Sequence, residues 1–178
     1  MISNMHKDRP NRQSHRLRGY DYAGPGTYFV TICTSDRCQY FGVVRRKKMF
    51  LSDWGEIAAR EWPISLARRP YIIPHAFVVM PNHVHGLISF DPATTSARDL
   101  ESISRGMPPQ SLGRFLNGFK GAVTNVIRGQ IDDPFFEVWQ SNYHDRVVRN
   151  ERELDSFFAY ILNNPARWEE DRFNNIRM

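Results

Sequence analysis

The segment His83-Val84-His85 places two imidazoles two positions apart in an apolar stretch typical of a β-strand. In a strand, residues i and i+2 point to the same face, so both imidazoles face one side while Val84 enters the core. Neighbouring imidazoles need partners for their ring nitrogens, and a divalent metal ion supplies one. The histidines follow the turn Pro81-Asn82, so they lie at a strand end that can open to solvent. The spacing predicts either a metal site or a pair of exposed or hydrogen-bonded histidines on a sheet face.

The last predicted helix offers a third ligand and a nucleophile. At about 100° per residue, Tyr160 and Asn164 lie one turn apart on the same side of that helix, on the flank of its apolar stripe. There the Asn164 amide oxygen can reach a metal, and the Tyr160 phenol can reach what the metal polarises. Two imidazoles and one amide oxygen leave open positions and bring no ligand charge, which suits Mg²⁺ or Mn²⁺ holding a phosphate. The alternatives are a half-buried aromatic at Tyr160 and a helix C-cap at Asn164.

A competing metal interpretation joins Cys33 and Cys38 to His83 and His85 as a structural zinc site. The spacing of the two cysteines lies at the edge of what zinc sites use. Cys33 also falls inside a strand of the predicted core, where a free buried cysteine is common.

Two further groups contain residue types that are common in active sites, but their positions in the sequence do not favour catalysis. Tyr143-His144-Asp145 resembles a nucleophile and its base, but neighbours in an extended segment point to opposite faces. His75 precedes an apolar strand, where a histidine is usually structural.

The periodicity of apolar residues predicts the elements that position these side chains. Strands are predicted over residues 27–34, 41–44, 48–51, 72–80 and 83–90, with another inside 137–148. Helices are predicted from the Ser52 cap to about Trp62, where Pro63 breaks or kinks the chain, from Ser111 to Arg128, and from an Asn150–Glu153 capping box to Asn163-Asn164-Pro165. The buried stripe of the last helix is predicted to be Leu154, Phe157, Phe158 and Ile161. This order favours an α+β fold in which helices cover one largely antiparallel sheet.

Composition indicates a single globular domain with a basic N-terminal arm. The 178 residues are 41 % hydrophobic and 13 % aromatic, and two cysteines are too few for a disulfide framework. No apolar run is long enough to span a bilayer, and the N-terminus lacks the apolar region of a secretory signal, so a cytoplasmic protein without a membrane partner is expected. The net charge is +5, and residues 1–20 carry five cations against Asp8 alone. Such an arm can reach a polyanion or be a solvated tail.

Four stretches, in order along nearly the whole chain, carry a family resemblance. They are RLRGYDYAGPGTYFVTICT at 16–34, AFVVMPNHVHGLI at 76–88, GRFLNGFKGAVTNVI at 113–127 and VWQSNYHDRVVRNERELDSFFAYILNNPARW at 138–168. Together they resemble the REP-associated tyrosine transposases, members of the single-tyrosine HUH transposase superfamily of bacteria. The ordered set, with its Tyr-x-x-x-Asn-Pro ending, is specific, whereas His-Val-His alone is not.

The resemblance implies a fold, a site and a reaction. The fold is a ferredoxin-like or RRM-like antiparallel sheet with helices packed on it. His83 and His85 match the HUH histidines, Tyr160 matches the nucleophile, and Asn164 matches the third ligand of an Mg²⁺ or Mn²⁺ ion. The implied enzyme is a metal-dependent DNA transposase that cleaves and rejoins single-stranded REP-like hairpins through a 5′-phosphotyrosine. The implied domains are an arm at 1–24, one HUH domain at 25–168 with a mobile loop at 91–110, and a C-terminal tail at 169–178.

DNA contacts are expected from cations outside this site, namely Arg9, Arg12, Arg16, Arg18, Arg114 and Lys120. Lys120 is also a candidate for lowering the phenol pKa. Other interpretations are a non-catalytic DNA or RNA hairpin-binding protein, a replication-initiator or relaxase-type HUH nuclease, and a zinc-stabilised adaptor. The family includes monomers and homodimers, and a DNA substrate would place the protein on the nucleoid.

Overall fold

The computed structural model describes residues 26–91 and 111–174. The strands in these ranges are β1 (Gly26–Cys33), β2 (Gly42–Arg45), β3 (Lys48–Leu51), β4 (Ile72–Met80), β5 (His83–Phe90) and β6 (His144–Val148). The α-helices are α1 (Asp53–Ala67), α2 (Leu112–Ile131) and α3 (Glu151–Asn163), and short 3₁₀ helices cover Ser35–Arg37 and Pro165–Glu170. The predicted arm at 1–24, the predicted loop beyond Asp91 and residues 175–178 lie outside the described residues.

Four strands form one antiparallel sheet in the order β4-β5-β1-β6, and β2 pairs with β3 in a separate hairpin. Without that hairpin, the chain from β1 to β6 runs β-α-β-β-α-β. Its first and third strands, β1 and β5, lie in the middle of the sheet, as in a ferredoxin-like fold. The structure therefore confirms the predicted α+β class, an antiparallel sheet with helices packed on it.

One face of the sheet, called the core face here, carries Tyr28, Val30 and Ile32 of β1 and packs against α1 and α2. Helix α2 packs on this face through its apolar side. The buried residues of that side are Leu112, Phe115, Leu116, Phe119, Val123 and Ile127. Gly86 of β5 faces the Trp62 ring, which lies 2.5 Å from where a Cβ atom would be. A side chain at Gly86 would therefore displace the tryptophan that joins α1 to the sheet.

The opposite face, called the site face here, carries Phe29, Thr31 and Cys33 of β1 and His83, His85 and Leu87 of β5. Helix α3 covers part of it, with the Phe157 ring stacked on Phe29 at 4.6 Å. Asn150 caps α3 by accepting from the Glu153 N–H at 2.9 Å, and Glu153 Oε2 accepts from the Arg149 N–H, so the predicted capping interaction forms. Among the described residues, no helix has the length and apolar composition needed to cross a bilayer.

Two local predictions are wrong. Helix α1 continues through Pro63 to Ala67, because Pro63 is on the exposed side while Trp62 and Ser65 are buried against the core. Packing on both sides of the proline outweighs the loss of one helical hydrogen bond. Phe158 is not part of the buried stripe of α3: it is 41 % exposed, whereas Ile161 is fully buried. The helix contacts the sheet through a narrow stripe, and Phe158 lies outside it.

Candidate active site

The two predicted histidines face each other on the site face of β5. Their Nε2 atoms are 3.1 Å apart, and their side chains are almost completely buried, with exposures of 0 % for His83 and 1 % for His85. Strand alternation thus brings both imidazoles to one face of the sheet, as the sequence predicts. Val84, between them, lies in the core on the other face. This spacing leaves the two Nε2 atoms within reach of a single small ligand.

The Nδ1 atoms of the two rings are engaged by the protein. His83 Nδ1 donates to Asn82 Oδ1 at 2.9 Å, and the Asn82 amide group in turn donates to the carbonyls of Arg37 and Phe173. Those two acceptors fix the orientation of the Asn82 amide, so the proton of His83 lies on Nδ1. His85 Nδ1 lies 2.9 Å from the Thr31 hydroxyl. The site therefore has the outer contacts that orient metal-binding imidazoles.

Both histidines are held in the neutral form. Burial lowers the pKa of His83 well below its usual range, and the nearby His85, Arg172 and Arg37 act in the same direction. Burial likewise lowers the pKa of His85 to about 4, although the Asp171 carboxylate opposes this shift. Neutral imidazole is the form that binds metal ions, so no proton needs to be displaced at neutral pH.

Asn164 and Asp171 meet beside the histidines. Asn164 ends α3 and is 1 % exposed, and its amide donates to Asp171 Oδ2 at 3.1 Å. Its Oδ1 atom is buried and has no hydrogen-bond partner among the described residues. A buried carbonyl oxygen without a partner is costly, so this atom is available to coordinate a ligand.

Tyr160 lies one turn before Asn164 on α3, as predicted. Its ring is 5.3 Å from the His85 ring, and its hydroxyl donates to Asp171 Oδ2 at 3.3 Å. Burial raises the pKa of Tyr160, and the Asp171 charge and this hydrogen bond raise it further. The phenol is therefore protonated at neutral pH and points toward the same carboxylate as the Asn164 amide.

The donor atoms of His83, His85 and Asp171 lie within 4.8 Å of one another, so this cluster could hold a metal ion. Imidazole and carboxylate ligands suit a range of divalent cations. The Asn164 Oδ1 atom adds a fourth oxygen or nitrogen donor on the same side of the sheet. The structure thus brings together four predicted residues, His83, His85, Tyr160 and Asn164, and adds Asp171.

Asp171 was missed by the sequence analysis. It belongs to the Glu169-Glu170-Asp171 run, which has the composition of an exposed tail. The 3₁₀ helix Pro165–Glu170 turns the chain back, and Trp168 and Phe173 are buried against the site face on either side of Asp171. The Phe173 ring lies 4.7 Å from the His83 ring. These two aromatics so close to the run were the available sign that it packs on the protein.

The other predicted cations are not at this site. Arg114 and Lys120 lie on α2, which packs on the core face, and the Lys120 ammonium donates to the carbonyls of Gln140 and Ser141. Burial lowers the pKa of Lys120, but the structure does not bring it near Tyr160. The four arm arginines, Arg9, Arg12, Arg16 and Arg18, lie outside the described residues.

The groups considered as alternatives are not part of the histidine cluster, although Cys33 pairs with His83 across the strands and His144 and Asp145 line a cavity beside Tyr160. Cys33 is buried and Cys38 is exposed, and neither joins the metal-binding group found among the described residues. His75 donates to or accepts from the Ser89 hydroxyl at 2.6 Å, in keeping with the structural role predicted for it. Tyr143 packs against the core cluster rather than the histidines.

The comparisons with known proteins agree with this fold. A solved structure of a REP-associated tyrosine transposase bound to a REP hairpin superposes with a TM-score of 0.58 at 18 % identity, over 87 % of this chain and 74 % of the other. The chain therefore has a transposase-like fold. No protein-family model matches it. An uncharacterized protein of Haemophilus influenzae is 33 % identical over 168 residues, which cover 91 % of this chain and 92 % of that protein. The chain therefore belongs to the same family as that protein.

Proposed function

We propose that this protein is a metal-dependent tyrosine DNA strand transferase of the transposase type, acting on single-stranded DNA hairpins like the REP hairpin. The observation that carries the proposal is the grouping of Tyr160 and Asn164 of α3 with the two histidines of β5. A nucleophile, neutral imidazoles and an unpartnered buried amide oxygen serve no purpose in a core, but they fit phosphoryl transfer. The fold shared with the hairpin-bound transposase supports the same substrate class.

The residues at the site fit a divalent ion. His83, His85 and Asn164 would hold it through two Nε2 atoms and the unpartnered Oδ1 atom, and Asp171 offers a carboxylate beside them. Nitrogen and oxygen donors with a single carboxylate suit Mg²⁺ or Mn²⁺. Bound there, such an ion would neutralise the negative charge that develops on a phosphate oxygen in the transition state.

Tyr160 is the proposed nucleophile. Its Oη atom attacks the scissile phosphorus and forms a 5′-phosphotyrosine, while the bond from phosphorus to the 3′ oxygen breaks. The phenol proton passes to water, and the departing 3′ oxygen takes a proton from water. Because a phenolate is also a good leaving group, attack by another 3′ hydroxyl reverses the step and rejoins the strand without a nucleotide cofactor.

The rest of the proposal concerns the DNA and the assembly. We infer that the arm at 1–24 and Arg114 contact phosphates outside the site, since cations placed away from the chemistry add affinity without changing the reaction. One copy of the chain supplies His83, His85, Tyr160 and Asn164, which favours a protein that can act as a monomer. The domain would span residues 25–168 together with the segment through Phe173 that packs beside the histidines, and the substrate would locate the protein on the nucleoid.

Covalent trapping tests the proposal. The full chain is incubated with single-stranded DNA that carries a REP hairpin and is labelled at its 3′ end, the end that a 5′-phosphotyrosine keeps. The mixture contains Mn²⁺ or a chelator and is run on a denaturing gel. We expect a labelled protein band that needs the metal, is lost in Tyr160→Phe and persists in Tyr143→Phe. Tyr143 is a suitable control because it packs on the core cluster, away from the histidines.

Each outcome separates one function from another. A metal-dependent adduct that survives in Tyr160→Phe would show that another residue is the nucleophile. Hairpin binding without any adduct would favour a non-catalytic hairpin-binding protein. Loss of folding in chelator would favour the zinc-stabilised adaptor instead.

A further inference from the structure

A cavity opens beside the proposed site and is not used by the chemistry proposed so far. Its volume is about 470 Å³, and it lies between β1, β6 and α3. His85 and Tyr160 form one wall. The remaining walls come from residues to which no role has been given, chiefly Arg146 of β6, Phe157 of α3 and Arg172.

The cavity has an excess of positive charge. Arg146 and Arg172 are both exposed, and within the described ranges neither forms an ion pair with a carboxylate. Asp145 is the single carboxylate in the lining. It pairs with Val30, whose side chain is on the core face, so strand alternation directs the Asp145 side chain away from that of Arg146. The cavity therefore presents two arginines to an anion.

Part of the lining is aromatic, and Phe29 is the direct cross-strand neighbour of Arg146. Phe157 and Phe29 stack at 4.6 Å with their planes 12° apart, and both line the cavity. A volume of this size exceeds what a phosphate alone would fill and is in the range of small-molecule sites. Aromatic rings next to arginines are the combination that holds a base or sugar together with its phosphate.

We infer that this cavity holds the nucleotide next to the scissile phosphate and that Arg146 binds the phosphate of that neighbouring nucleotide. The inference rests on the proposed function, because it takes Tyr160 as the point where the strand is cut. A strand whose scissile phosphate faces Tyr160 continues into the adjacent space, and this cavity shares the Tyr160 wall. The planar guanidinium of Arg146 can bind two phosphate oxygens at once.

The test combines an arginine variant with neutral phosphates. Binding of the REP-hairpin DNA is measured by fluorescence anisotropy in a Tyr160→Phe background, which prevents cleavage. We expect Arg146→Ala to weaken binding about tenfold, as for the loss of a charge-assisted contact. The slope of log affinity against log salt should fall by about 0.7, the value of one phosphate contact on a single strand. Arg149→Ala is the matched control, since Arg149 is exposed on the same segment and does not line the cavity.

Methylphosphonates then identify the contact. Each of the two phosphates that flank the scissile one is replaced in turn by a neutral methylphosphonate. The inference requires that the penalty of Arg146→Ala disappear for one of these two DNAs. Arg146→Gln, which keeps a polar side chain of similar length, should show the same loss if the alanine variant folds poorly.

The two proposals fail in different ways. If the parent protein forms its adduct but Arg146→Ala binds DNA like Arg149→Ala, or neither methylphosphonate removes the penalty, the cavity inference is wrong and the proposed reaction stands. If the parent protein neither binds the hairpin nor forms an adduct, the proposed function is wrong and the inference falls with it.

Discussion

Both faces of the sheet bury side chains, but they differ in the kind of side chain that they bury. On the core face, Tyr28, Val30 and Ile32 are fully buried among the aromatic and aliphatic side chains of α1 and α2. On the site face, His83 and His85 are buried to the same degree. The first set is expected of any sheet covered by helices, because apolar burial stabilises the fold. The second set costs desolvation free energy, which hydrogen bonds must offset.

The partners of the buried polar groups show how this cost is offset. Thr31 and Asn82 orient the histidines, and Asp171 accepts from Asn164 and Tyr160. The Asn164 Oδ1 atom is the exception among these groups, since nothing in the described residues donates to it. Apolar burial therefore accounts for the core face, whereas the histidines and Asn164 of the site face could hold a metal ion together with Asp171. Substitutions on the two faces should consequently separate stability from metal binding.

The largest effect should come from the core face. Phe119 is fully buried on α2 and touches both Trp62 and Trp139. We expect Phe119→Ala to lower the free energy of unfolding by about 4 kcal/mol, because it removes a large apolar side chain and leaves a cavity. Urea unfolding followed by tryptophan fluorescence measures this. Phe158→Ala is the control, with a much smaller expected loss because Phe158 is 41 % exposed.

The same variant tests whether the faces are independent. The folded fraction of Phe119→Ala should bind Mn²⁺ with the affinity of the parent protein in an electron paramagnetic resonance titration. A fall in Mn²⁺ affinity as well as in stability would show that the core face also sets the geometry of the site. The two faces would then not be independent.

A smaller effect is expected on the site face. Asp171→Asn removes the single carboxylate of the His83–His85–Asp171 cluster and keeps the size of the side chain. We expect Mn²⁺ affinity to fall about tenfold or more, in line with changes in the immediate surroundings of metal sites. Asp155→Asn, on the exposed side of α3, removes the same charge away from the cluster and should leave the affinity unchanged.

Thermal unfolding of the metal-free Asp171→Asn protein completes that comparison. Its midpoint should fall by only a few degrees, since the amide oxygen can still accept from Tyr160 and Asn164 but the hydrogen bond from the Phe173 N–H to the second oxygen is lost. Equal Mn²⁺ affinity in Asp171→Asn and Asp155→Asn would mean that Asp171 only orients its neighbours and is not a ligand.

The sequence predicts the parts of both faces that depend on short-range patterns. Alternation places His83 and His85 on one face, and the one-turn spacing of Tyr160 and Asn164 places them together on α3. These patterns hold because each is set by the geometry of one element. The position of the elements in the sheet follows from their order and from short connections.

The wrong and missing parts depend on packing between distant segments. Pro63 lies inside α1 because Ser65, in the turn that follows it, is buried, which no local rule records. Asp171 reaches the site because the 3₁₀ helix after Asn164 folds back and Phe173 packs on His83. An acidic run is usually solvated, so its composition gives no sign that it packs beside the histidines. A contact made by chain reversal can be seen only in three dimensions.

The smallest effect, and the last test of the comparison, is the pH dependence of stability without metal. Burial lowers the pKa of His83 and of His85, the latter to about 4, while an unfolded histidine titrates near pH ~6.5. Between these values the unfolded chain binds protons that the folded site excludes. The stability is therefore fully present well above pH ~6.5 and is lost as the pH falls toward 4. At pH ~6.5, where half of the unfolded imidazoles are protonated, the loss should be about 0.4 kcal/mol for each histidine.

Urea unfolding in chelator at two pH values measures this loss, and the two faces predict different outcomes for matched variants. His85→Gln removes one of the buried imidazoles and should lose about half of the pH dependence. Val123→Ala, on the core face, should be less stable at both pH values but keep the full dependence, because it titrates nothing. His75, whose pKa burial also lowers, remains in every variant and so cancels in the comparison. Saturating Mn²⁺ should stabilise the parent protein at both pH values without changing the dependence, because both folded imidazoles are already neutral in this range. If His85→Gln and the parent protein showed the same pH dependence, the charge of the buried histidine pair would not control stability. The site face would then differ from the core face only in its ligand chemistry.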